Sequence, residues 1–515
     1  MTSSEKVLLG ILFLIVFFCV FSISYYAIRS SNDEFWHIKT GEYIVQHGYH
    51  LPQKDIFTYT ADTMDWANHE WLSQVIFYYV YHLSGFQGFV LFKSILIVLA
   101  FLGVYCVVQQ RCQNYYIALS VTLLGALASR HTLYPRPYIF SYLLVPIYLY
   151  FLYELTEKGI KKYHYWIFPL LMIPWANLHG GAILGLILIL FFLAGEFIGQ
   201  VFKSKFAASG MSFILSRRLL FIFVLTLLAS LINPYGFQIF ELTFKVMNDK
   251  LLIASIGELH PPEFDKTIYY DAMLIITGIT VLLTVRQLRI WDFFLLLFFG
   301  QQSLTHVRNL PLFGITAAAI LGRHIIIFLH SKLRVETSHR DVSTIKTFST
   351  ILILVLAVSI LVYYHQWDLN MEMLNGPGYR VRDYPVRAAH FILQNDFHGN
   401  MFNEINFAGY LMFALYPKYK VFTDNRFDLF GSKFLPDFYQ IDEVGPRWQE
   451  TLDKYTVNFI ITERASTLRK ALDQSSNWVR VYLDPGYAIY VKNIPENADL
   501  ITRCRESLNR LGLTY

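Results

Sequence analysis

The sequence contains few of the charged residues that keep enzymes soluble. Only 16% of its 515 residues are charged, whereas 55% are hydrophobic and 17% are aromatic, and the mean hydropathy is +0.39. Such a composition excludes an ordinary soluble enzyme and is typical of a polytopic membrane protein. The net charge of +5 is also small, so we expect no nucleic-acid partner.

Cysteine is scarce as well. The four cysteines have neither the spacing of a metal or redox motif nor the density of a disulfide framework. The N-terminal apolar segment lacks a cleavage site and is too long for a signal-peptide core, so we expect it to remain as the first membrane helix. The sequence shows no internal repeat, low-complexity tract or coiled-coil heptad.

Long apolar runs are what the chain has in abundance. Runs of about 17–25 residues predict membrane-spanning helices. Nine such runs lie near residues 7–28, 87–109, 115–130, 138–156, 181–201, 218–232, 268–285, 308–329 and 348–365, and two shorter ones near 165–176 and 291–303. The predicted fold class is a polytopic α-helical membrane protein with about eleven transmembrane helices.

The distribution of positive charge predicts how these helices are oriented. Most lysines and arginines, such as Lys6, Arg111 and Lys161, fall in one set of alternate loops, which should therefore be cytoplasmic. The N-terminus would be cytoplasmic, while the loop 29–86 and everything after the last span would be extracytoplasmic.

Two domains are expected from the change in composition. Residues 1–365 should form the transmembrane domain, with surface helices in the outer loop 29–86. Residues 366–515 should form a small soluble α/β domain, because helical and strand-like patterns alternate there. Within that domain, Asp424, Arg426 and Asp428 favour a buried ion-pair network over an acceptor-binding patch.

Acidic residues begin where the first apolar run ends. Asp33 and His37 are four residues apart and would share a helix face, so Asp33 could be a general base or one of two metal ligands. In the structural alternative, Asp33 and Glu34 cap the next helix or end the span in water. Further along, His69 and Glu70 are explained equally well by catalysis and by an N-cap with a favourable helix dipole.

Several cations stand on the side of the membrane where positive charge is disfavoured. Arg130, His131 and Arg136 share one tight connection, and His306 and Arg308 share another. Guanidinium groups suit phosphate geometry, so these residues suggest an anionic partner. The alternatives are ion pairs with acids of the loop 29–86 and contacts with lipid head groups.

Two histidines lie in polar turns of the same face. His179 is part of the segment 175–181, and His260 follows the turn 233–236. Either could donate to a phosphate or bind a metal, although a histidine near a membrane boundary is more often simply hydrogen-bonded. The ligand spacing identifies no metal site, so the metal is unknown.

Short motifs give the sequence a family resemblance. The run from Asp33 to Glu42, followed by His69-Glu70-Trp71-Leu72, resembles the first outer loop of bacterial GT-C superfold glycosyltransferases, especially their protein-mannosyltransferase-like or ArnT-like relatives. Other motifs recur in the same order in similar sequences: Arg136-Pro137, Asn177-Leu178-His179-Gly180, Asn233-Pro234-Tyr235-Gly236, Arg308-Asn309, Gly409-Tyr410, Tyr416-Pro417 and Val421-Phe422-Thr423-Asp424-Asn425-Arg426. The resemblance covers nearly the whole chain.

The resemblance implies a glycosyltransferase in the bacterial inner membrane. It would move a sugar from a polyprenyl-phosphate-linked donor to a lipid, glycan or protein acceptor on the extracytoplasmic face, usually with inversion, in contact with membrane lipids. By position, Asp33 matches the general base, with Glu34 as its neighbour. The expected substrate-binding residues are His37, His69, Glu70, Arg130, His131, Arg136, His179, His260, His306 and Arg308. A divalent metal could be a cofactor, although the chain lacks a clear counterpart of the family's second acidic motif.

Two other functions stay open at this stage. A transporter or lipid flippase would fit the hydropathy, but such proteins usually place ionisable or broken-helix sites at the bilayer midplane between inverted repeats. The sequence shows neither feature. A noncatalytic cell-envelope assembly factor would act by binding a partner through the C-terminal domain.

Overall fold

The computed structural model describes residues 2–26, 33–201, 213–332, 339–368 and 384–510. In chain order the helices are α1 (Ser3–Tyr26), α2 (Asp33–Gln46), α3 (Trp71–Cys112), α4 (Tyr115–Ser129), α5 (Tyr138–Lys158), α6 (His164–Leu178), α7 (Ile183–Val201), α8 (Phe213–Ser230), α9 (Gln238–Asn248), α10 (Lys250–Ser255), α11 (Ile268–Leu283), α12 (Ile290–Thr305), α13 (Leu310–Lys332), α14 (His339–Asp368), α15 (Val386–Asn395), α16 (Ala408–Leu415), α17 (Phe427–Asp442), α18 (Trp448–Lys454), α19 (Thr467–Gln474) and α20 (Ala498–Arg510). The strands are β1 (Asn400–Asn403), β2 (Val457–Glu463), β3 (Trp478–Leu483) and β4 (Tyr487–Lys492).

The chain divides into two compact units. The first comprises residues 1–28, 86–241 and 253–371, and the second comprises residues 29–85, 242–252 and 372–515. The long helix α3 is broken at Gly85 (φ 63°, ψ −167°), the last residue of its segment of the second unit. A positive φ is readily adopted only by glycine, which explains the residue at this break.

The first unit is a helical bundle of apolar segments. All eleven apolar runs found in the sequence are helices, as predicted. Six helical segments of the described chain are long and apolar enough to cross a membrane: Ser3–Tyr25, Trp71–Cys112, Tyr138–Lys158, Gly180–Val201, Val307–Ser331 and Ser343–Tyr363. The predicted count of about eleven spans is not confirmed, because the other five helices have only 15–18 residues.

Small residues let two of these helices approach closely. A side chain on Gly125 of α4 would meet the carbonyl oxygen of Gly314 of α13 at 3.0 Å, and one on Gly314 would meet the Gly125 oxygen at 2.8 Å. Contacts of this kind between small residues are a common basis of helix packing in membranes. Asn114 caps α4 by accepting hydrogen bonds from the backbone N–H groups of Tyr116 and Ile117.

The second unit is built on a small mixed sheet. Its strand order is β1-β2-β4-β3, with β1 parallel to β2 and the other two pairs antiparallel. Because side chains alternate along a strand, Phe459 and Ile461 enter one hydrophobic core while Ile460 enters the other. Strand-like patterns predict strands at residues 400–406 and 457–462 and a strand pair that turns at Asp484. These strands are present, although the first ends at Asn403, and Asp484 accepts from the N–H groups of Gly486 and Tyr487 in the turn.

The loop after α1 belongs to the same cores. Trp36, Phe57 and Trp66 pack in the first core, and Ala61 packs in the second. Thr58 pairs with Val421 as in a parallel ladder, and the N–H of Val421 donates to the carbonyl of Phe57 at 3.0 Å. The two parts are therefore one folded body, although hundreds of residues separate them in sequence.

Candidate functional site

In the second unit, the acidic motif lies at the start of a new helix. Helix α2 begins at Asp33, and Asp33 and Glu34 occupy its first turn. The positive end of the helix dipole stabilises carboxylates there, as the structural alternative expects. A functional role for either acid must therefore be judged from its other contacts.

Asp33 is held by a residue from the far end of the chain. Asn425 Nδ2 donates to Asp33 Oδ1 at 2.8 Å. The Asp33 side chain lies at the edge of burial, with 9% of the residue exposed. A carboxylate in this position has a fixed orientation and still reaches the surface of its unit.

Glu34 has a more enclosed environment. It is completely buried, and Tyr384 Oη donates to its Oε1 at 3.2 Å. The neighbouring Phe35 ring packs edge-on against Tyr384 and Tyr410, at centroid distances of 4.8 and 5.1 Å. Glu34 is thus built into the packing of α2, whereas Asp33 is the carboxylate nearer to solvent.

A buried ion-pair network supports the segment that carries Asn425. Arg426 pairs with Asp424 at 2.6 Å and with Asp55 at 2.7 Å, and these side chains are at most 1% exposed. The prediction of a buried network is confirmed for Asp424 and Arg426, and the structure adds Asp55. The side chain of Asp428 lies outside the described part of the chain.

The charges in this network shift each other's titration. Burial would raise the pKa of Asp55, but the Arg426 charge and the hydrogen bonds from Thr58 outweigh it, so that pKa lies below its usual value. Burial dominates at Asp424 and raises its pKa. The carboxylates of Asp55 and Asp424 share the guanidinium of Arg426. Keeping Asp424 ionised costs more free energy than keeping Asp55 ionised.

The other candidates of this unit lie around Glu70. His37 Nε2 is 3.8 Å from Glu70 Oε2, and His69 Nε2 is 3.9 Å from Glu70 Oε1. His37 is buried, and its ring contacts that of Trp36 in a tilted arrangement at a centroid distance of 3.7 Å. These distances exceed those of hydrogen bonds, so the group is an electrostatic cluster.

Residues that could hold a metal do not converge in the described ranges. No group of three or more His, Cys, Asp or Glu side chains there is arranged to bind an ion. The acidic and histidine candidates therefore do not fit a metal centre as they stand.

In the first unit, three single-turn helices bring the cationic candidates together. The turn Val307–Asn309 contacts both Arg130–Thr132 and Gly257–Leu259. The N–H of Val307 donates to the carbonyl of His260 at 2.9 Å, and Tyr142 Oη donates to the carbonyl of Arg308 at 3.4 Å. We call Arg130, His131, Arg136, His260, His306 and Arg308 the cationic cluster.

Arg136 is the ion-paired member of the cationic cluster. Its Nη1 lies 2.8 Å from Glu258 Oε2, and the two side chains are 19% and 22% exposed. The partner is an acid of its own unit, which the sequence did not identify. The Glu258 carboxylate therefore partly neutralises the charge of Arg136.

Arg130 and Arg308 have other surroundings. The Arg130 guanidinium lies over the rings of Tyr269 and Tyr363, at 4.9 and 5.3 Å, and its Nε donates to His131 Nε2 at 3.2 Å. Arg308 is partly exposed and forms no ion pair with any described residue. These are cations whose charge no carboxylate in the described ranges neutralises.

Three histidines complete the first unit's candidates. His306 shares a hydrogen bond of 2.8 Å with Thr305 Oγ1, and burial, followed by the Arg308 charge, lowers the pKa of its imidazole. His260 Nε2 donates to the carbonyl of Ala254 at 3.0 Å. His179 follows α6, and its ring stands edge-on to Tyr138 at 6.5 Å.

Each unit thus gathers its own set of predicted residues. Asp33, Glu34, His37, His69 and Glu70 belong to the second unit, and the arginines with His131, His179, His260 and His306 belong to the first. The sequence missed the partners Asn425, Tyr384, Glu258 and Asp55. Only Asn425 carried a signal, since it lies inside one of the motifs of the family resemblance.

Comparison with known proteins identifies the fold. No protein-family model and no curated protein matches the sequence. The oligosaccharyltransferase AglB of Archaeoglobus fulgidus, solved with an inhibitory peptide and a dolichol-phosphate, has a TM-score of 0.59 and 11% identity over 98% of this chain and 78% of its own. The same organism's enzyme, tethered to an acceptor peptide, has a TM-score of 0.53 and 14% identity over 94% and 74%.

A second kind of enzyme shares the fold. The arabinofuranosyltransferase AftD from Mycobacteria has a TM-score of 0.53 and 13% identity, and this chain covers 40% of its length. Identities this low establish the fold alone. It is the GT-C superfold, so the resemblance found in the sequence is confirmed at that level. The fold and the apolar helices together indicate a membrane protein.

Proposed function

We propose that this chain is a membrane glycosyltransferase that moves a sugar from a polyprenyl-phosphate-linked donor to a lipid, glycan or protein acceptor. Its fold supports this function, since the AglB structure contains a dolichol-phosphate and a peptide. The observation that carries the proposal is the Asp33 carboxylate, oriented by Asn425 on the supported 423–426 segment.

Asp33 is the general base in this proposal. It accepts the proton of the acceptor hydroxyl as that oxygen attacks the anomeric carbon with inversion. General-base catalysis typically contributes about 100- to 10,000-fold to the rate. Glu34 supports α2 through Tyr384 and the aromatic packing around Phe35, so we assign it to positioning.

The cationic cluster binds the donor's phosphate in this proposal. Negative charge develops on the lipid phosphate as the bond between its oxygen and the anomeric carbon breaks. Preorganised guanidinium groups stabilise such charge strongly in a low-dielectric setting. Arg308 and Arg130 are the main candidates, while Glu258 moderates Arg136. Because no three metal-ligating side chains converge in the described ranges, the proposed steps use side chains of the protein.

The proposed reaction takes place on the extracytoplasmic side of a bacterial inner membrane, with the N-terminus in the cytoplasm. The support is the charge asymmetry of the loops. Single cysteines placed at the exposed positions Asp62 and Arg286 would be labelled by an impermeant thiol reagent from opposite sides of sealed vesicles. Labelling of both from the same side would contradict this orientation.

The decisive experiment compares Asp33→Asn with Asp62→Asn. Asp62 is an exposed acid of the same unit, which makes it a matched control. Both full-length variants would be placed in nanodiscs with polyprenyl-phosphate-linked hexoses and pentoses and a membrane extract as acceptor. We expect Asp33→Asn to lower sugar transfer by about 100- to 10,000-fold, with the control unchanged. Equal transfer by both would remove Asp33 from the mechanism.

A further inference from the structure

The four buried tyrosines of α5 differ in what their hydroxyl groups bond. Three of them donate to an oxygen atom within the bundle, at 2.7–3.4 Å: Tyr142 to the Arg308 carbonyl, Tyr148 to the Phe168 carbonyl and Tyr153 to the Asp292 carboxylate. Tyr138, the first residue of the helix, is the exception. It is only 6% exposed, and its Oη has no hydrogen-bond partner among the described residues.

A hydroxyl group that is buried without a partner destabilises a protein. It has lost its hydrogen bonds to water and has gained none in return. Most buried polar groups in native proteins are bonded, so each exception calls for an explanation, and a ligand that supplies the missing bond is one. A phenylalanine ring would fill the same space without that penalty. The hydroxyl of Tyr138 is therefore better explained by binding than by stability.

Charged groups of the cationic cluster act on this tyrosine. Glu258 and Arg136, which form an ion pair with each other, are the charges that affect Tyr138 itself. The Tyr138 ring packs against that of Tyr142 at a centroid distance of 5.2 Å, and the Arg308 charge acts on Tyr142. The cations here outnumber the anion. An anionic oxygen is therefore the partner that this environment favours for a phenol hydroxyl.

The beginning of α5 favours the same kind of ligand. The helix has 21 residues and begins at Tyr138, after Pro137, so the positive end of its dipole lies at the residue that carries the hydroxyl. Phosphate groups commonly bind at such helix ends. The N–H groups of Ile139 and Phe140 already donate to the carbonyls of Arg136 and Pro137. Tyr138 Oη is therefore the group that can add a hydrogen bond to the attraction of the dipole.

We infer that Tyr138 is a binding residue for the lipid-linked donor, and that its Oη–H donates to an oxygen of the phosphate group that the cationic cluster attracts. The identity of the ligand rests on the proposed function, whereas the unpartnered hydroxyl does not. A phenol keeps its hydrogen at neutral pH, so it can serve as a donor there. The arginines supply charge, and Tyr138 adds a directional bond.

The first test separates binding from packing in the protein without ligand. Tyr138→Phe removes an unpartnered hydroxyl, so the melting temperature of the full-length protein in detergent should rise or stay the same. Tyr148→Phe is the matched control on the same helix, since it removes a hydroxyl that is bonded to the Phe168 carbonyl, and its melting temperature should fall. An equal fall in both variants would show that the Tyr138 hydroxyl is bonded within the fold, which would overturn the inference.

The second test measures binding without any reaction. Polyprenyl phosphate, which is the donor without its sugar, would be titrated into the wild type and both variants, with polyprenol as the ligand that lacks the phosphate. We expect Tyr138→Phe to raise the Kd for polyprenyl phosphate by about tenfold to a hundredfold, because a hydrogen bond to a charged oxygen is lost. Tyr148→Phe should bind it like the wild type, and polyprenol should not distinguish the three proteins.

Two results of this titration would overturn the inference. The first is an equal Kd for polyprenyl phosphate in all three proteins. The second is a weaker affinity of Tyr138→Phe for the sugar-linked donor alone, which would assign the hydroxyl to the sugar and not to the phosphate.

The third test distinguishes this inference from the proposed function. In sugar transfer, Tyr138→Phe should raise the KM for the polyprenyl-phosphate-linked donor by the same factor as the Kd. A wild type that transfers sugar with a KM unchanged by Tyr138→Phe would refute the contact and leave the proposed function intact. A wild type that binds polyprenyl phosphate through Tyr138 but transfers no sugar would support the contact and refute the proposed function.

Discussion

The first unit contains two arginine clusters whose surroundings differ. Helix α5 contacts both, through Tyr142 at the cationic cluster and Tyr153 about 16 Å further along the helix. At the second cluster, Arg111 forms a bidentate pair with Asp292, at 2.7 and 3.1 Å, and Tyr153 Oη donates to the same carboxylate at 2.7 Å. At the first, Arg308 has no ion pair with a described residue.

Burial explains what the difference means. The Arg111 and Asp292 side chains are 1% and 0% exposed, and their charges satisfy each other within the bundle. Such a closed pair makes the fold sensitive to loss of either partner but offers nothing to a ligand. Arg308 is partly exposed, so its removal should cost binding and spare the fold.

The largest expected effect is on the closed pair. Arg111→Met leaves Asp292 buried without its main partner, which should lower the free energy of unfolding by about 3–5 kcal/mol. Arg323, 3.6 Å from Asp292, brings the cost toward the lower value. Thermal unfolding in detergent would measure it, with the exposed Arg217→Met as control. An unchanged melting temperature would show that the pair is not structural.

The matching substitution in the cationic cluster is Arg308→Ala. We expect an unchanged melting temperature and a rise of about tenfold to a hundredfold in the KM for a polyprenyl-phosphate-linked sugar, because a charged hydrogen bond to phosphate is lost. Arg308→Lys should recover part of it. Arg286→Ala is the matched control, since Arg286 also lies in a single-turn helix just before a longer one. A lower melting temperature with an unchanged KM would show that Arg308 stabilises the fold and does not bind the donor.

Glu404 in the second unit extends the comparison to a buried carboxyl group that forms no ion pair with a described residue. Burial raises its pKa to about 7, and Thr462 and Ser466 are its hydroxyl partners. Because the folded pKa is above the unfolded one, its stabilising contribution is complete below about pH 4.5 and lost as the pH rises through about 7.

Glu404→Gln should remove this dependence. Between those pH values the variant should gain up to about 3 kcal/mol of unfolding free energy relative to wild type. The difference in melting temperature, measured as a function of pH, would check it. The exposed Glu496→Gln serves as control, and a variant that follows the wild-type curve would rule out Glu404 as the source.

The smallest effect concerns Glu258, the partner of Arg136. Partly exposed ion pairs contribute less than about 1 kcal/mol, so Glu258→Gln should barely alter the melting temperature. It should lower the KM for the anionic donor, because Arg136 is released from its pair. Glu263→Gln, at an exposed pair with Lys266, is the control. A higher KM would mean that Glu258 orients Arg136 for the ligand.

The sequence predicts local structure better than pairing. The apolar runs locate every predicted bundle helix, and strand-like runs locate β2 and the β3–β4 hairpin. Helix lengths set the limit on the count of spans, because a helix of 15 residues, such as α4, does not reveal whether it crosses a membrane. Helices α17, α18 and α20 were not predicted, since their apolar residues are interrupted by polar ones.

The candidate site shows the same limit. Asp33 and Arg308 could be singled out by charge and position, but Asn425 is 392 residues away from Asp33 in sequence. Arg111 looked like one more topology signal, and only its pairing with Asp292 distinguishes it from Arg308. Such partners are set by tertiary packing, which no local pattern contains.

The pairing of Thr58 with Val421 has a consequence for biosynthesis. The segment that carries Thr58 leaves the ribosome long before the residues around Val421 are translated. During that time its aromatic side chains lack the neighbours that cover them in the folded protein. Until residues beyond 425 have been delivered to the same compartment, the carboxylate of Asp33 lacks its amide partner. If Asp33 is the base proposed above, a prematurely terminated chain would lack activity even with every preceding helix inserted. Its uncovered aromatic surface would also be a target for chaperones and quality-control proteases.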